Sequence, residues 1–173
     1  QQAISHLASA LNKGLRSTAH WEALADAYLA NAEPGSAALC YERVGRSGLA
    51  GTLAVMAERK LCRIEGSVDS YQFEWLPESP LPVIQAEVNG IRLNLLVDTA
   101  AGDLVLDEQV AVAAGIPHGG REPRYFAGGL PGMVTYGHVE RLQLGALTIH
   151  DLLTQILDLQ SRFAAYSPLV PIH

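Results

Sequence analysis

Cysteine and lysine are scarce in this sequence, and long apolar runs are absent. Cys40 and Cys62 are its only cysteines; both lie in stretches of helical periodicity, and their spacing matches no metal site. We therefore expect buried thiols in preference to a disulfide. The six histidines are scattered, without the spacing of metal ligands. Because no apolar run reaches the length of a membrane span, the sequence predicts no transmembrane helix.

The charge balance is acidic. Asp and Glu number 18 against 12 Lys and Arg, which gives a net charge of −6, and Lys13 and Lys60 are the only lysines. No basic cluster is present, so the sequence argues against a nucleic-acid-binding surface. An apolar content of 49% with 17% charged residues is typical of a well-packed soluble protein, and 173 residues allow one domain or two small ones. The compartment stays open, with the periplasm or secretion as one option.

Helical periodicity dominates residues 1–66, which we interpret as one domain. Apolar residues recur at helical spacing over 2–13, 19–31 and 49–64, and another helix is predicted to begin at Pro34. Six residues of the second and third helices resemble the core of one tetratricopeptide repeat (TPR) in type and spacing: Trp21, Leu24, Ala25, Tyr28, Ala37 and Tyr41.

Repeats of this kind are about 34 residues long, and one repeat length before Ala37 and Tyr41 stand Ala3 and Leu7. We therefore expect the chain to begin inside a repeat array. The resemblance implies a protein partner on the helices. A stack this short forms little groove, so we favour the alternative that the helices only support the second domain.

The second domain, residues 67–173, is predicted to be rich in β-strands, with its boundary between Gly66 and Pro80. Asn89-Gly90 is a strong signal for a hairpin with a type I′ turn, and Asp107 is placed to cap a short helix over 108–114. The predicted strands are 71–75, 83–88, 91–97, 104–106, 124–126, 133–136, 139–144 and 147–159. A loop is predicted over 116–120, with its glycines at 119 and 120.

The chain is organised around the stretch from Leu95 to Asp103. A fully apolar run ends at Asp98, which is followed by Thr99 and by small residues. A carboxylate at the end of a buried strand is costly unless its neighbours satisfy it or it shares a proton with another acid. The small residues let the backbone approach it, and the Thr99 hydroxyl can hydrogen-bond nearby. The pattern predicts a catalytic aspartate, with a plain strand-ending turn as the alternative.

This stretch resembles the active-site loop of retropepsin-like aspartic proteases, and the resemblance extends over about residues 80–159. Asp98 and Thr99 match the first two motif positions and Ala101 matches the alanine. Ala100 stands where the family has glycine, and Gly102 where it usually has a small polar residue. If the backbone at Ala100 needs positive φ, its Cβ costs on the order of 1 kcal/mol, which implies altered specificity, slow turnover or lost activity.

A glycine-rich tip separates the predicted strands 124–126 and 133–136. Its residues are Ala127, Gly128, Gly129, Leu130, Pro131 and Gly132. In retropepsin-like proteases this position holds the flap, a hairpin that closes over the substrate, so the resemblance implies that the tip binds substrate. An ordinary glycine-rich turn is the alternative.

The two resemblances together imply an α+β protein with N-terminal TPR-like helical hairpins and a C-terminal all-β retropepsin-like (acid protease) barrel. They imply an aspartic endopeptidase that hydrolyses extended polypeptide as a homodimer. Each protomer would supply Asp98, Thr99 would tie the two loops together, and no metal or organic cofactor would be needed. A catalytically inactive binding module is the alternative, favoured by Ala100. The closing apolar-apolar-Gly segment of the family is not found before His173, so we expect a C-terminal piece to be missing.

Overall fold

The structure, a computed structural model, describes residues 1–66, 70–99, 101–126, 129 and 131–159. In chain order its elements are α1 (Gln2–Asn12), α2 (Thr18–Ala30), α3 (Pro34–Arg43), α4 (Ser47–Val55), β1 (Arg63–Glu65), β2 (Val83–Val88), β3 (Ile91–Leu96), β4 (Leu104–Asp107), α5 (Glu108–Ala113), β5 (His118–Tyr125), β6 (Pro131–Leu144) and β7 (Leu147–Leu157). None of the helices in the described ranges has the length and apolar character that crossing a membrane requires.

The chain divides into two units. The first, called here the helical unit, comprises Gln1–Leu61 together with His118–Tyr136. The second, called here the sheet unit, comprises Cys62–Pro117 and the chain from Gly137 onwards. Residues 118–136, called here the hairpin, therefore belong with the helices although they lie within the β-rich part of the sequence.

The helical unit begins with α1 to α4, each of which packs on the next. Leu24 and Ala25 of α2 are buried, as are Ala37 and Tyr41 of α3, so the residues predicted to fill this contact do lie in the core. Pro34 occupies the first turn of α3, as predicted, where its missing N–H costs nothing. The N-terminal helices are confirmed, whereas their identity as tetratricopeptide repeats stays a prediction.

The strands of the sheet unit run in the order β1-β7-β6-β2-β3, and β4 pairs in parallel with β7. The β2–β3 hairpin turns at Asn89 and Gly90, whose φ values of +46° and +90° fit the predicted type I′ turn. Apolar side chains from these strands, from α5 and from the residues just after α5 form the core: Ala86, Val88, Leu106, Ala111, Ala114, Ile116, Val139, Leu142 and Ile156. The C-terminal sheet is thereby confirmed.

The fourth helix and the second cysteine differ from the prediction. The helix ends at Val55 instead of residue 64, because 63–65 form β1 and pair with β7, a long-range contact that local helical periodicity does not reveal. Both cysteines are free thiols, and Cys40 is buried as predicted. The prediction for Cys62 is wrong: it is exposed and lies in a turn with φ of +53°.

Three strand predictions are also corrected. Residues 71–75 form no strand; the rings of Tyr71 and Phe73 stack on each other with centroids 6.5 Å apart. Residues 118–120, expected in a loop, belong to β5. The strands predicted over 133–136 and 139–144 are one strand, β6. It passes through Gly137, where a Cβ would lie only 2.8 Å from methyl groups of Ile116 and Ile156.

Asp107 provides a test of the junction between β4 and α5. Its buried carboxylate accepts the Gln109 N–H at 2.9 Å, as the predicted helix cap, and the Leu159 N–H at 3.0 Å. We expect Asp107→Ala to lower the free energy of unfolding by about 1–2 kcal/mol, measured by urea denaturation. Asp107→Asn keeps one acceptor oxygen, so its loss of unfolding free energy should be less than half of the loss in Asp107→Ala. Equal losses in the two variants would contradict the capping role.

Candidate active site

Asp98 lies in the sheet unit, in the loop that joins β3 to β4. Before this loop, β3 pairs with β2 over its whole length. The ladder continues one residue further, because the Val97 N–H donates to the Pro82 carbonyl at 2.8 Å. Strand pairing therefore fixes the backbone up to the residue that precedes Asp98.

The other end of the loop is held by β7. Leu104, the first residue of β4, pairs with Thr154, and the fully buried Thr154 hydroxyl donates to the Leu104 carbonyl at 2.9 Å. The Gln155 side-chain amide donates to the Asp103 carboxylate. Sequence reasoning missed Thr154 and Gln155. Their only signal is two polar residues near the apolar end of β7, and that signal does not identify their partners.

The predicted motif residues form a short exposed turn. Asp98, Thr99 and Ala101 are all exposed, and the Ala101 N–H donates to the Asp98 carbonyl at 3.1 Å. Ala100 lies outside the described residues. A solvent-accessible carboxylate on a turn fixed at both ends can take part in proton transfer, provided that a second acid or base reaches it.

Apolar side chains lie directly before this carboxylate. Leu96 is 50% exposed and Val97 is 36% exposed. In the sheet order, β3 is the terminal strand of the described part of the sheet unit. An edge strand that ends in exposed apolar residues favours contact with another chain.

The described residues include no group of three or more His, Cys, Asp or Glu side chains that could hold a metal ion.

The hairpin contains the predicted substrate-binding tip. Ala127, Gly128 and Leu130 lie outside the described residues. Gly129 is exposed with φ of +74°, a conformation that favours glycine, and its N–H donates to the Phe126 carbonyl at 3.0 Å. Gly132, near the start of β6, is partly buried.

Comparison with known protein families finds a match for the segment of the chain that contains Asp98. Residues 84–164, just under half of the chain, match the family model of gag-polyprotein putative aspartyl protease. The match supports an aspartic-protease-like domain of retropepsin type in this segment.

Among solved structures, "EIAV protease complexed with the inhibitor HBY-793" is 19% identical, with 53% of this chain and 95% of that chain covered and a TM-score of 0.35. Because the TM-score is this low, the fold described here rests on the strand pairings and not on this likeness. No curated protein sequence matches the chain.

The hydroxyl of Thr154 provides a test of how the loop is held. Thr154→Val keeps the shape but removes the donor to Leu104. We expect a loss of about 1–2 kcal/mol in unfolding free energy and faster amide hydrogen exchange in residues 97–103. Thr154→Ser loses a core methyl group but keeps the hydroxyl, so loop exchange should stay near that of the original chain. Similar exchange in the valine and serine variants would refute this role.

Proposed function

We propose that the chain is an aspartic endopeptidase of retropepsin type, which hydrolyses extended polypeptide with two copies of Asp98 in a homodimer. The proposal is carried by the position of Asp98. With Thr99 it stands on an exposed turn whose flanking backbone is fixed by β2 and β7. The same turn lies inside the segment that matches the aspartyl protease family model.

The reaction uses the two carboxyl groups in opposite protonation states. Repulsion between two carboxylates about 3 Å apart raises the pKa of one of them, so over an intermediate pH range they share one proton. The ionised carboxylate takes a proton from a water molecule, whose oxygen attacks the scissile carbonyl carbon. The protonated carboxyl gives its proton to the carbonyl oxygen. Collapse of the tetrahedral intermediate then breaks the C–N bond: the leaving amine receives the proton taken from water, and one hydroxyl of the intermediate returns its proton to the other carboxylate, which restores the dyad. This chemistry requires no metal or organic cofactor.

A second copy of the chain supplies the second carboxylate, because the motif occurs once in the sequence. The exposed Leu96 and Val97 support this arrangement, since both side chains precede Asp98 on an edge strand. Burial of such side chains favours association by roughly 25 cal/mol per Å², against which the entropic cost of binding must be set. Thr99 hydrogen-bonds across the two loops in this dimer.

The hairpin serves as the flap. It follows the Asp98 loop in the chain, as the flap does in retropepsin-like proteases, and its turn at Gly129 is exposed. An extended substrate presents backbone N–H and C=O groups, which a hairpin tip can bind as an added strand. The tip residues concerned are Ala127, Gly128, Gly129, Leu130 and Gly132.

The N-terminal helices form TPR-like hairpins in a domain that extends to residue 66, and a protein partner on them is part of the proposal. Their small size favours support of the second domain, residues 67–173, over a large peptide groove.

A second candidate function is a catalytically inactive binding module with the same fold. The observation that favours it is Ala100, which stands where the family has glycine. The two candidates differ in whether Asp98 is required for peptide-bond cleavage.

Asp98→Asn provides the direct test. We expect the original chain to cleave an unfolded protein or a peptide library, with the rate falling at both ends of the range from acidic to neutral pH. At the acidic end both dyad carboxyls are protonated, and at the other end both are ionised. The variant should show no detectable cleavage.

Asp103→Asn is the matched control, because it changes a nearby carboxylate but keeps an acceptor for Gln155; its activity should survive. Sedimentation should show a dimer. If a folded, dimeric original chain fails to cleave, the inactive binding module is correct.

Ala100→Gly tests whether this departure limits the rate. If the reacting state needs positive φ at this position, removing the Cβ is worth about 1 kcal/mol, which corresponds to roughly a fivefold rise in kcat. The measurement is kcat on one peptide substrate for the original chain and the variant. An unchanged or lower kcat would show that alanine is not the limiting feature.

A further inference from the structure

The base of the hairpin packs directly on the start of α4, backbone against backbone. A Cβ at Gly48 would lie 2.4 Å from the carbonyl oxygen of Gly120, and a Cβ at Gly119 would lie 2.8 Å from that of Gly48. Only glycine allows so close an approach. The Thr52 hydroxyl of α4 donates to the Tyr136 carbonyl at 3.0 Å. Helix α4 therefore contacts both strands of the hairpin.

Arg46, directly before α4, is the polar centre of this contact. Its guanidinium donates to Glu122 Oε1 from Nε at 3.1 Å and from Nη2 at 2.9 Å. Nη2 also donates to the Tyr136 hydroxyl at 2.6 Å. The Arg46 Cζ atom lies 5.0 Å from the centroid of the Tyr41 ring and 5.7 Å from that of Tyr136. One side chain of the helical segment thus binds both strands of the hairpin.

The charges in this cluster are largely buried. The side chains of Arg46 and Glu122 are 19% and 11% exposed, and Glu122 Oε2 is buried without a hydrogen-bond partner among the described residues. Burial by itself lowers the pKa of Arg46, but Tyr136, Glu122 and Tyr41 outweigh it and raise the pKa, so the guanidinium stays charged. Removing one partner of such a pair leaves the other charge uncompensated.

The cluster is also tied to the helices behind it. The Tyr41 hydroxyl on α3 donates to the Asp26 carboxylate on α2. Burial, together with this hydrogen bond, raises the pKa of Tyr41, so the phenol remains a donor. Contacts therefore run from α2 through Tyr41 and Arg46 to the hairpin.

Beyond this base, each strand of the hairpin carries an exposed side chain. Tyr125 is 79% exposed and Met133 is 47% exposed, whereas Glu122 and Val134 are buried. The buried part of the hairpin therefore includes Glu122 and Val134 but not Tyr125 and Met133.

We infer that Arg46 is a positioning residue for the proposed reaction: from the helical unit it fixes the base of the hairpin through Glu122 on β5 and Tyr136 on β6. The inference rests on the proposed function, in which the hairpin binds the substrate. It gives the helices a defined role, which is to hold the flap.

The first experiment measures amide hydrogen exchange in the full chain, with no substrate present. Arg46→Met keeps much of the aliphatic stem but removes the charged fork. We expect exchange in residues 118–136 to become at least fivefold faster, with residues 83–96 unchanged. Unchanged exchange in the hairpin, or an equal rise in 83–96, would overturn the inference.

Arg43→Met is the matched control, because Arg43 lies over the Trp21 ring at 4.9 Å within the helices. It should leave hairpin exchange unaltered. The double variant Arg46→Met/Glu122→Gln removes the uncompensated carboxylate and should exchange more slowly in the hairpin than Arg46→Met alone. If Arg46→Met does not fold, the double variant is compared with the original chain instead. Exchange in residues 118–136 should then be at least fivefold faster in the double variant, with residues 83–96 unchanged.

The second experiment measures KM and kcat for peptide cleavage. We expect Arg46→Met to raise KM about fivefold or more with kcat changed less than twofold, and Arg46→Lys to lie between it and the original chain, because lysine keeps the charge without the fork. Arg43→Met should keep both constants. An unchanged KM in Arg46→Met, or the same rise in Arg43→Met, would refute the role in substrate binding.

If cleavage is absent or survives Asp98→Asn, the proposed function fails, and hydrogen exchange alone decides whether Arg46 holds the hairpin.

Discussion

The sheet unit depends on β7, because three other strands pair with it. Residues 148–150 pair with β1, residues 154–157 pair with β4, and β6 is also its neighbour. Asp151, between the first two segments, has φ of +57°, which costs roughly 1–2 kcal/mol for a residue other than glycine. Its carboxylate lies within hydrogen-bonding distance, 3.0 Å, of Nε2 of the buried His138. Without β7, the Asp98 loop would be held only on the side of β3.

Local signals predicted the parts of the fold that local physics decides. Pro34 at a helix start, the Asn89-Gly90 turn and the Asp107 cap each depend on residues within a few positions of one another, and all three are confirmed. The errors concern residues whose structure depends on distant partners. Residues 63–65 form a strand because β7 lies beside them, and Gly119, expected in a loop, instead lies in β5 and permits close approach to α4. A glycine pair in a sequence gives no indication of which of these two roles it has.

The candidate site likewise contains features that neighbouring residues predict and features that depend on distant residues. Apolar strand, aspartate, threonine and small residues are contiguous, so the sequence predicts the loop that carries Asp98. The groups that hold this loop are Thr154 and Gln155, which are about 50 residues further on, and Arg46 and Glu122 are separated by 76 residues. Each of these residue types is common on a protein surface. Only the strand pairings and the packing of the hairpin reveal what they contact.

The division of the chain has a consequence for the proposed enzyme. Asp98 belongs to the sheet unit, whereas the proposed flap belongs to the helical unit and takes its backbone contacts and its buried charge pair from α4 and the residue before it. A β domain without residues 1–61 would keep the strands that fix Asp98. It would also leave Glu122 without its cation and expose to solvent the hairpin backbone that packs on α4. The helices therefore support the structure of the proposed flap. Their loss should impair substrate binding more than it disturbs the Asp98 loop.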